Sequence, residues 1–197
     1  MWMWRLGRIL AAPVYRLIFR FRVTGKKNIP KAGGIILCAN HTSYHDVVVL
    51  GMTSPRNLHY LAKAELFEKK SSKWMFNRFG AIPVDREKPS MDSLKRVVNV
   101  LKDEKALAIF MQGGRRKEPD SADYKAGVAL FAIKGKAPVV PIHIRSTFKL
   151  FSKVHINIGQ PISFEEYHDK KVRTDDLNTA AQRVMDAIVA LDTQNDE

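Results

Sequence analysis

Short β-type runs alternate with helical segments along the chain, and this alternation constrains the fold more than any other feature. The runs are rich in Val, Ile, Leu and Ala, and the stretches between them show helical spacing. Strands that alternate with helices are typical of α/β domains. We therefore predict a single α/β domain with a mixed, largely parallel central sheet flanked by helices. The predicted strands are Ile35–Ala39, Leu58–Leu61, Ala81–Val84, Ala106–Phe110, Val139–Ile144 and Val154–Ile158.

Three later segments carry helix signals. Ser90 is placed to cap a helix, because apolar residues recur after it at spacings of three and four. A second helix is predicted from about Lys125 to Lys134, and a third, assigned to packing, follows Thr174. The apolar residues that define the first are Leu94, Val97, Val98 and Leu101, and those of the third are Leu177, Ala181, Val184, Ile188 and Leu191.

The N-terminal segment from Met1 to Phe21 is predicted to be an amphipathic helix. One side is apolar, whereas four arginines fall largely on the other. We predict that residues 1–22 associate with a membrane surface and that residues 23–197 form the α/β domain. Docking of the apolar stripe on the domain itself is an equally open alternative. The stripe consists of Met3, Leu6, Leu10, Val14, Leu17 and Phe21.

A second segment, Lys69–Phe79, also combines basic and large apolar side chains. It is expected either to line the entrance of a binding site or dip into lipid, or to form an ordinary helix that faces the core.

The charge balance narrows the classes of partner. Lys and Arg number 33 against 20 Asp and Glu, a formal net charge of +13, which attracts nucleic acid, anionic lipid, phosphorylated cofactors or an acidic carrier protein. A role in solubility alone is the plainer reading. No RNA-recognition signature or zinc-finger spacing accompanies the charge, so nucleic acid is not expected as a partner. The single cysteine, Cys38, excludes an internal disulfide and lies in an apolar run, where we expect it to be buried.

The segment Asn40–Asp46 is the sharpest chemical feature, because it follows an apolar strand directly and precedes a predicted helix over Val47–Met52. A neutral histidine can accept a proton from a hydroxyl, and a carboxylate on its other ring nitrogen fixes the tautomer. His41 and Asp46 can fill these two roles. The same spacing is also compatible with a simple turn cap.

Two other chemistries remain as rivals for this segment. His41 and His45 lie four residues apart, as helical zinc ligands do, with Asp46 as a further oxygen ligand. No glutamate follows His41, so we expect no metal. Ser43 lacks the G-x-S-x-G surroundings of a nucleophilic serine.

Two glycine-containing segments each end a predicted strand with arginine. They are Phe79–Arg86 and Phe110–Arg116. Glycines allow backbone N–H groups to approach a phosphate, and a guanidinium binds two phosphate oxygens at once. Taken alone, each segment is more simply explained as a solvated turn with exposed arginines.

Taken in order, four blocks resemble the 1-acyl-sn-glycerol-3-phosphate acyltransferase family, also called the lysophosphatidic acid or glycerolipid acyltransferases. His41–Asp46 matches the H-x-x-x-x-D block, and Gly80–Arg86 matches G-x-I-x-V-x-R. Phe110–Arg115 stands where the family has F-P-E-G-T-R, and Val140–Ile142 matches V-P-I. Their joint order is far more specific than any single block.

The resemblance implies a role for each matching residue. His41 acts as the general base and Asp46 orients it, while Arg86 and Arg115 bind the acceptor phosphate. Lys63, in a stretch similar to the family's A-K-x-E-L, lies near the same phosphate. The third block also contributes Gln112, Gly113 and Gly114 to the expected substrate site.

The third block departs from the family pattern in three places. Met111 replaces proline, Gln112 replaces glutamate and Gly114 replaces threonine. Gln112 keeps an acceptor oxygen but loses the charge, which leaves the identity of the acceptor open. His45 is a further departure, since an ionisable group inside the motif can influence His41 or donate a hydrogen bond.

The activity implied is transfer of a fatty acyl group from an acyl thioester to 1-acylglycerol 3-phosphate, which forms phosphatidic acid. Acyl-CoA or acyl carrier protein is the co-substrate, with no other cofactor. The implied place is the cytoplasmic face of the cell membrane, as a peripheral or monotopic protein on an anionic surface. The alternatives are an acyltransferase for glycerol 3-phosphate or another lysolipid, and a non-catalytic protein that binds anionic lysolipids.

Overall fold

A seven-stranded sheet forms the centre of the computed structural model, which describes residues 2–85, 90–111 and 126–192. The strand order is β1-β7-β6-β2-β5-β3-β4, and every neighbouring pair is parallel except β6 and β7. The predicted α/β class and largely parallel sheet are confirmed. The strands are β1 (Arg20–Thr24), β2 (Ile35–Ala39), β3 (Leu58–Lys63), β4 (Ile82–Val84), β5 (Ala106–Phe110), β6 (Val139–Arg145) and β7 (Lys153–Ile158).

Helices cover both faces of this sheet. Ile36 and Cys38 of β2 face α4, α5 and α6, whereas Ile35, Leu37 and Ala39 face α1 and α2. Both faces of β2 are buried, which explains its continuous apolar sequence. The helices are α1 (Trp2–Ile18), α2 (His45–Thr53), α3 (Lys70–Arg78), α4 (Met91–Lys102), α5 (Gly127–Gly135) and α6 (Thr174–Ala190).

Most predicted elements are confirmed to within one or two residues. Ser90 caps α4 by accepting a hydrogen bond from the backbone N–H of Ser93. Cys38 is buried, and burial raises the pKa of its thiol to about 12, so it stays protonated. Lys125, the predicted start of α5, lies outside the described residues; the described helix begins at Gly127.

The N-terminal helix is shorter than predicted. It ends at Ile18, and the residues after it form β1, which pairs in parallel with β7 from Arg20 opposite Lys153 to Thr24 opposite Asn157. Only Phe21 of this edge strand is partly buried, so its sequence lacks the alternation that marks a strand. A partner more than 130 residues away therefore overrides the local helical pattern.

The contacts of α1 also correct the docking alternative for most of the stripe. The helix packs through Trp4, Gly7 and Tyr15, whereas the four central residues of the apolar stripe are exposed. The exposed fractions are 45% for Leu6, 62% for Leu10, 51% for Val14 and 79% for Leu17. In the second basic segment, α3 has no buried residue and Trp74 is 56% exposed, so only Phe79 at its end packs against the core.

Candidate active site

The candidate site begins where β2 ends in the middle of the sheet. The backbone N–H of Met111 donates to the Ala39 carbonyl at 2.9 Å, which extends the pairing of β5 with β2 by one residue. Proline, the residue of the family pattern at this position, has no N–H to donate. On the other side, the buried Asn40 amide donates to the Ile144 carbonyl at 2.9 Å and accepts from its N–H at 2.7 Å. These bonds fix the backbone immediately before His41.

His41 and Asp46 meet across the turn that follows. The distance from His41 Nδ1 to Asp46 Oδ2 is 3.0 Å, and the aspartate is 1% exposed. Oδ2 also accepts the backbone N–H groups of Thr42 and Ser43, each at 2.7 Å. Asp46 lies in the first turn of α2, where the helix dipole favours a negative charge. The helix begins two residues earlier than predicted, at His45, because this carboxylate organises the turn that leads into it.

The geometry fixes which nitrogen of His41 is basic. A carboxylate only accepts hydrogen bonds, so Nδ1 carries the hydrogen in the neutral ring and Nε2 has the lone pair. The ring stacks on Phe110 with 4.2 Å between centroids and 22° between planes. The pair thus has the arrangement that a general base requires, with an oriented and sterically restricted imidazole.

His45 faces a different environment from His41. Its Nδ1 lies 2.9 Å from the Tyr15 hydroxyl of α1, and its ring stacks on Phe148 at 4.9 Å. Phe19 packs edge-on against the same ring at 5.8 Å. His45 therefore joins the turn to the N-terminal helix. Within the ranges that the structure describes, no cluster of three or more His, Cys, Asp or Glu side chains is arranged to hold a metal ion.

Lys63 lies at the end of β3, on the same edge of the sheet as the end of β2. Two strand spacings of about 4.8 Å separate β3 from β2. The Lys63 ammonium lies 3.8 Å from Glu65 Oε2, and its side chain is 60% exposed. Arg86, Gln112, Gly113, Gly114 and Arg115 lie outside the described residues. The strands that precede them, β4 and β5, end at this same edge.

The backbone conformation at Gly80, the first residue of the second block, explains why glycine occurs there. Gly80 has φ of +73°, a left-handed conformation that costs other residues energy, and it leads directly into β4. Its carbonyl accepts a hydrogen bond from His59 Nδ1 at 2.9 Å, which ties the turn to β3. Burial lowers the pKa of His59 and outweighs the opposing effect of that bond, so the ring is neutral at pH 7.

A cavity of about 430 Å³ borders the turn on the α6 side of the sheet. Its wall includes Asn40 and Thr42 of the turn together with His143, Arg145 and Asp192. Asp192 Oδ1 is 3.5 Å from His143 Nδ1 and 3.6 Å from an Arg145 nitrogen. The negative charge of Asp192 therefore partly offsets the positive charge of Arg145 in this wall.

Sequence reasoning missed three features of the site. They are the side-chain link from Asn40 to β6, the Phe110 ring beneath His41 and the contacts of Tyr15 and Phe148 with His45. The position of Asn40 directly before His41 could have indicated the link to β6. The aromatic contacts of His41 and His45 depend on strand order and on the path of the N-terminal helix, which the local sequence does not indicate.

An α/β fold with an oriented imidazole at the end of a central strand has the arrangement of an enzyme. The chain belongs to the acyltransferase family, whose model matches residues 20–145. It is similar to the 1-acyl-sn-glycerol-3-phosphate acyltransferase of Bacillus subtilis, with 35% identity over 72% of this chain and 73% of that protein. The Streptococcus pneumoniae protein of the same name is 32% identical over 81% of this chain and 61% of its own length.

A solved structure supports the fold independently. The crystal structure of the 1-acyl-sn-glycerophosphate acyltransferase from Thermotoga maritima superposes with a TM-score of 0.73 at 20% identity. The match covers 98% of this chain and 80% of that one. The family model and the two relatives confirm the family predicted from the four blocks and its place in lipid metabolism.

Proposed function

We propose that this enzyme transfers a fatty acyl group from an acyl thioester to the free hydroxyl of 1-acylglycerol 3-phosphate, forming phosphatidic acid. The observation that carries the mechanism is the 3.0 Å contact between His41 Nδ1 and a buried Asp46 carboxylate at the end of a central strand. The names of the Bacillus and pneumococcal relatives support the choice of acceptor.

The proposed reaction needs one proton to move twice. The acceptor hydroxyl oxygen attacks the thioester carbonyl carbon while its proton passes to His41 Nε2. Asp46 stabilises the imidazolium through Nδ1. The tetrahedral intermediate then breaks its C–S bond, and the imidazolium returns the proton to the leaving sulfur. The products are the new ester and a free thiol, so neither a covalent enzyme intermediate nor a metal is required.

The acceptor phosphate is assigned to Arg86 and Arg115, with Lys63 nearby, by their match to the family blocks. Exposure of the Lys63 ammonium at the edge where β2 ends is compatible with this role. Gln112 makes glycerol 3-phosphate and other lysolipids the alternative acceptors. The donor is acyl-CoA or acyl carrier protein, both polyanions that a net charge of +13 attracts.

We also propose that the protein works at an anionic membrane surface on the cytoplasmic side, with α1 lying in the interface. The exposed leucine stripe of α1 and its arginines support this placement. In the described part of the chain, no helix is long and apolar enough to cross a membrane.

The catalytic proposal is tested by thiol release from several acyl-CoA and acyl carrier protein donors with several lysolipids. Products are identified by mass spectrometry. His41→Ala should abolish release with 1-acylglycerol 3-phosphate, whereas His168→Ala, at a histidine remote from the dyad in sequence, is the matched control. If the intact protein binds the lysolipid but releases no thiol with any pair, the chain is a lysolipid-binding protein instead.

Surface variants test the α1 proposal better than truncation does. Removing residues 1–21 would also remove Trp4 and Phe19, which are buried. Leu6→Ser with Leu10→Ser changes only exposed positions and should weaken binding to vesicles that contain phosphatidylglycerol. Unchanged binding would contradict the placement of α1.

A further inference from the structure

The loop between β6 and β7 presents apolar side chains to solvent on a strained backbone. Leu150 is 68% exposed and Phe151 is 60% exposed. Phe148 and Phe151 have φ of +49° and +60°, a left-handed conformation that bulky residues rarely adopt. Phe148 packs on His45, while Phe151 remains exposed. A soluble loop has no evident need for an apolar tip held at such a cost.

This tip lies against the C-terminal end of α1. The Phe151 backbone N–H donates to the Ile18 carbonyl at 2.8 Å, and the Arg20 N–H donates to the Ser152 carbonyl at 3.0 Å. Leu17, next to Ile18, is the most exposed large apolar residue of the described chain at 79%. Leu17, Leu150 and Phe151 together are called the tip patch below.

The elements around the tip patch carry positive charge without any acidic residue in their own sequences. The first acidic residue of the chain is Asp46, and none occurs between Asp123 and Glu165. Hence α1, β1, β6, the loop and β7 contribute only cations to this region. Exposed examples beside the patch are Arg16, Arg20, Lys149 and Lys153. An apolar tip ringed by cations complements an anionic lipid surface, since the tip enters the headgroup region while the cations meet phosphates.

We infer that the β6–β7 loop is a second lipid-inserting element, which acts beside α1 and seats the active site on an anionic membrane. The inference rests on the membrane placement proposed above and assigns it a specific contact. Phe148 of the loop stacks on His45, whose neighbour Asp46 holds His41. A loop seated in lipid therefore brings the catalytic turn to the surface where a lysolipid acceptor resides.

The test replaces the tip with polar residues that suit its backbone. In the double variant Leu150→Ser, Phe151→Asn, asparagine tolerates the left-handed φ of position 151, so the fold is retained. Met91→Ser is the matched control, because Met91 is 66% exposed on α4, which packs on the opposite face of the sheet. Binding is measured by cosedimentation with vesicles of phosphatidylglycerol and phosphatidylcholine, and with phosphatidylcholine alone.

We expect the double variant to bind the anionic vesicles about tenfold more weakly or worse, because two apolar side chains no longer enter the interface. Met91→Ser should bind as the intact protein does. Unchanged binding of the double variant, an equal loss in Met91→Ser, or equal binding of the intact protein to neutral vesicles would each overturn the inference.

Two further measurements distinguish lipid insertion by this loop from dimerisation through the tip patch and from the acyl-transfer proposal. If the tip patch instead joins two copies of the chain, sedimentation velocity will show a dimer that the double variant dissociates while vesicle binding is unchanged, and the inference fails. Thiol release in detergent reports the acyl-transfer proposal separately. Loss of vesicle binding with thiol release retained supports the inference, and absence of thiol release in the intact protein refutes only the transfer reaction.

Discussion

At the scale of single residues, one carboxylate both shapes the candidate site and holds its histidine in one orientation. Asp46 is almost fully buried, and a buried charge is tolerated only when it is well compensated. Its Oδ2 receives three N–H groups, from His41 and from the backbones of Thr42 and Ser43. The same atom therefore closes the turn and sets the tautomer of His41.

Replacing this carboxylate by an amide should weaken the proposed base, because it removes the negative charge that stabilises the imidazolium. In Asp46→Asn the side chain keeps its size, but an amide can present N–H to His41 Nδ1 and so stabilise the wrong tautomer. We expect kcat for thiol release to fall about 10²–10⁴-fold. The binding constant for the lysolipid should change little. A fall in affinity with an unchanged kcat would mean that Asp46 does not orient a general base.

Asn40 supplies the second residue-scale prediction. Its amide satisfies both the N–H and the carbonyl of Ile144 in a buried setting. Asn40→Ala should lower the free energy of unfolding by about 1–3 kcal/mol, because those groups lose their partners. Urea denaturation measures the change. Asn77→Ala, at an exposed asparagine of α3, is the control and should have no comparable effect.

At the scale of elements, α1 is a helix with two different apolar faces. The narrow face with Trp4, Gly7 and Tyr15 packs on the domain, and the broader leucine face is exposed. Arg8 supports the packed face, since its guanidinium lies over the Trp4 ring and donates to the Ser54 carbonyl at 3.0 Å. The small residue Gly7 lets α1 approach Phe79 at the end of α3.

Two substitutions in α1 should therefore differ in their effect on the free energy of unfolding. Trp4→Ala removes a buried indole and should cost about 3–5 kcal/mol of unfolding free energy. Leu10→Ala changes an exposed position and should leave that free energy within about 0.5 kcal/mol of the intact protein. Thermal and urea denaturation give both values. Equal losses in the two variants would mean that the leucine face is also packed.

His59, which links β3 to the turn before β4, should make the free energy of unfolding depend on pH. Burial lowers its pKa below the ordinary value of 6.5, so the unfolded chain binds this proton more readily than the folded one. Above pH 6.5 the neutral His59 ring makes its full contribution to stability. That contribution is lost as the pH falls through the lowered pKa of His59 in the folded protein.

Urea denaturation at pH 7.5 and at about pH 5.5 should show this loss in the intact protein. His59→Gln keeps a donor for the Gly80 carbonyl but cannot titrate, so its loss between the two pH values should be smaller. His168→Gln is the matched control and should retain the full loss. The same pH dependence in all three proteins would contradict the assignment to His59.

At the scale of the whole molecule, the cations are distributed unevenly. The chain has no acidic residue before Asp46, so its first 45 residues contribute eight Arg and Lys side chains to the net charge of +13 without a compensating carboxylate. The exposed leucines of α1 and the tip patch lie among these cations. Such a surface should be held to lipid by charge as well as by apolar contact.

Binding to vesicles should consequently depend on ionic strength. Raising the salt from about 0.05 M to about 0.5 M shortens the screening length, so cosedimentation with phosphatidylglycerol vesicles should weaken several-fold. Thiol release from a short-chain donor in detergent serves as the control for loss of folded enzyme. Binding that is insensitive to salt would mean that apolar contact alone retains the protein.

The sequence by itself determined the fold class, most element bounds and the family, and it identified His41 and Asp46 as a candidate pair. These features are encoded locally, because helical spacing, buried strands and the H-x-x-x-x-D turn each involve residues close together in the chain. Only the tertiary structure decided that Arg20–Thr24 pairs with β7, that α1 packs through Trp4 and exposes its leucines, and that Asn40, Phe110 and Phe148 surround the motif. These outcomes depend on partners tens of residues or more away, and which face of a helix is buried is decided by the surface it meets.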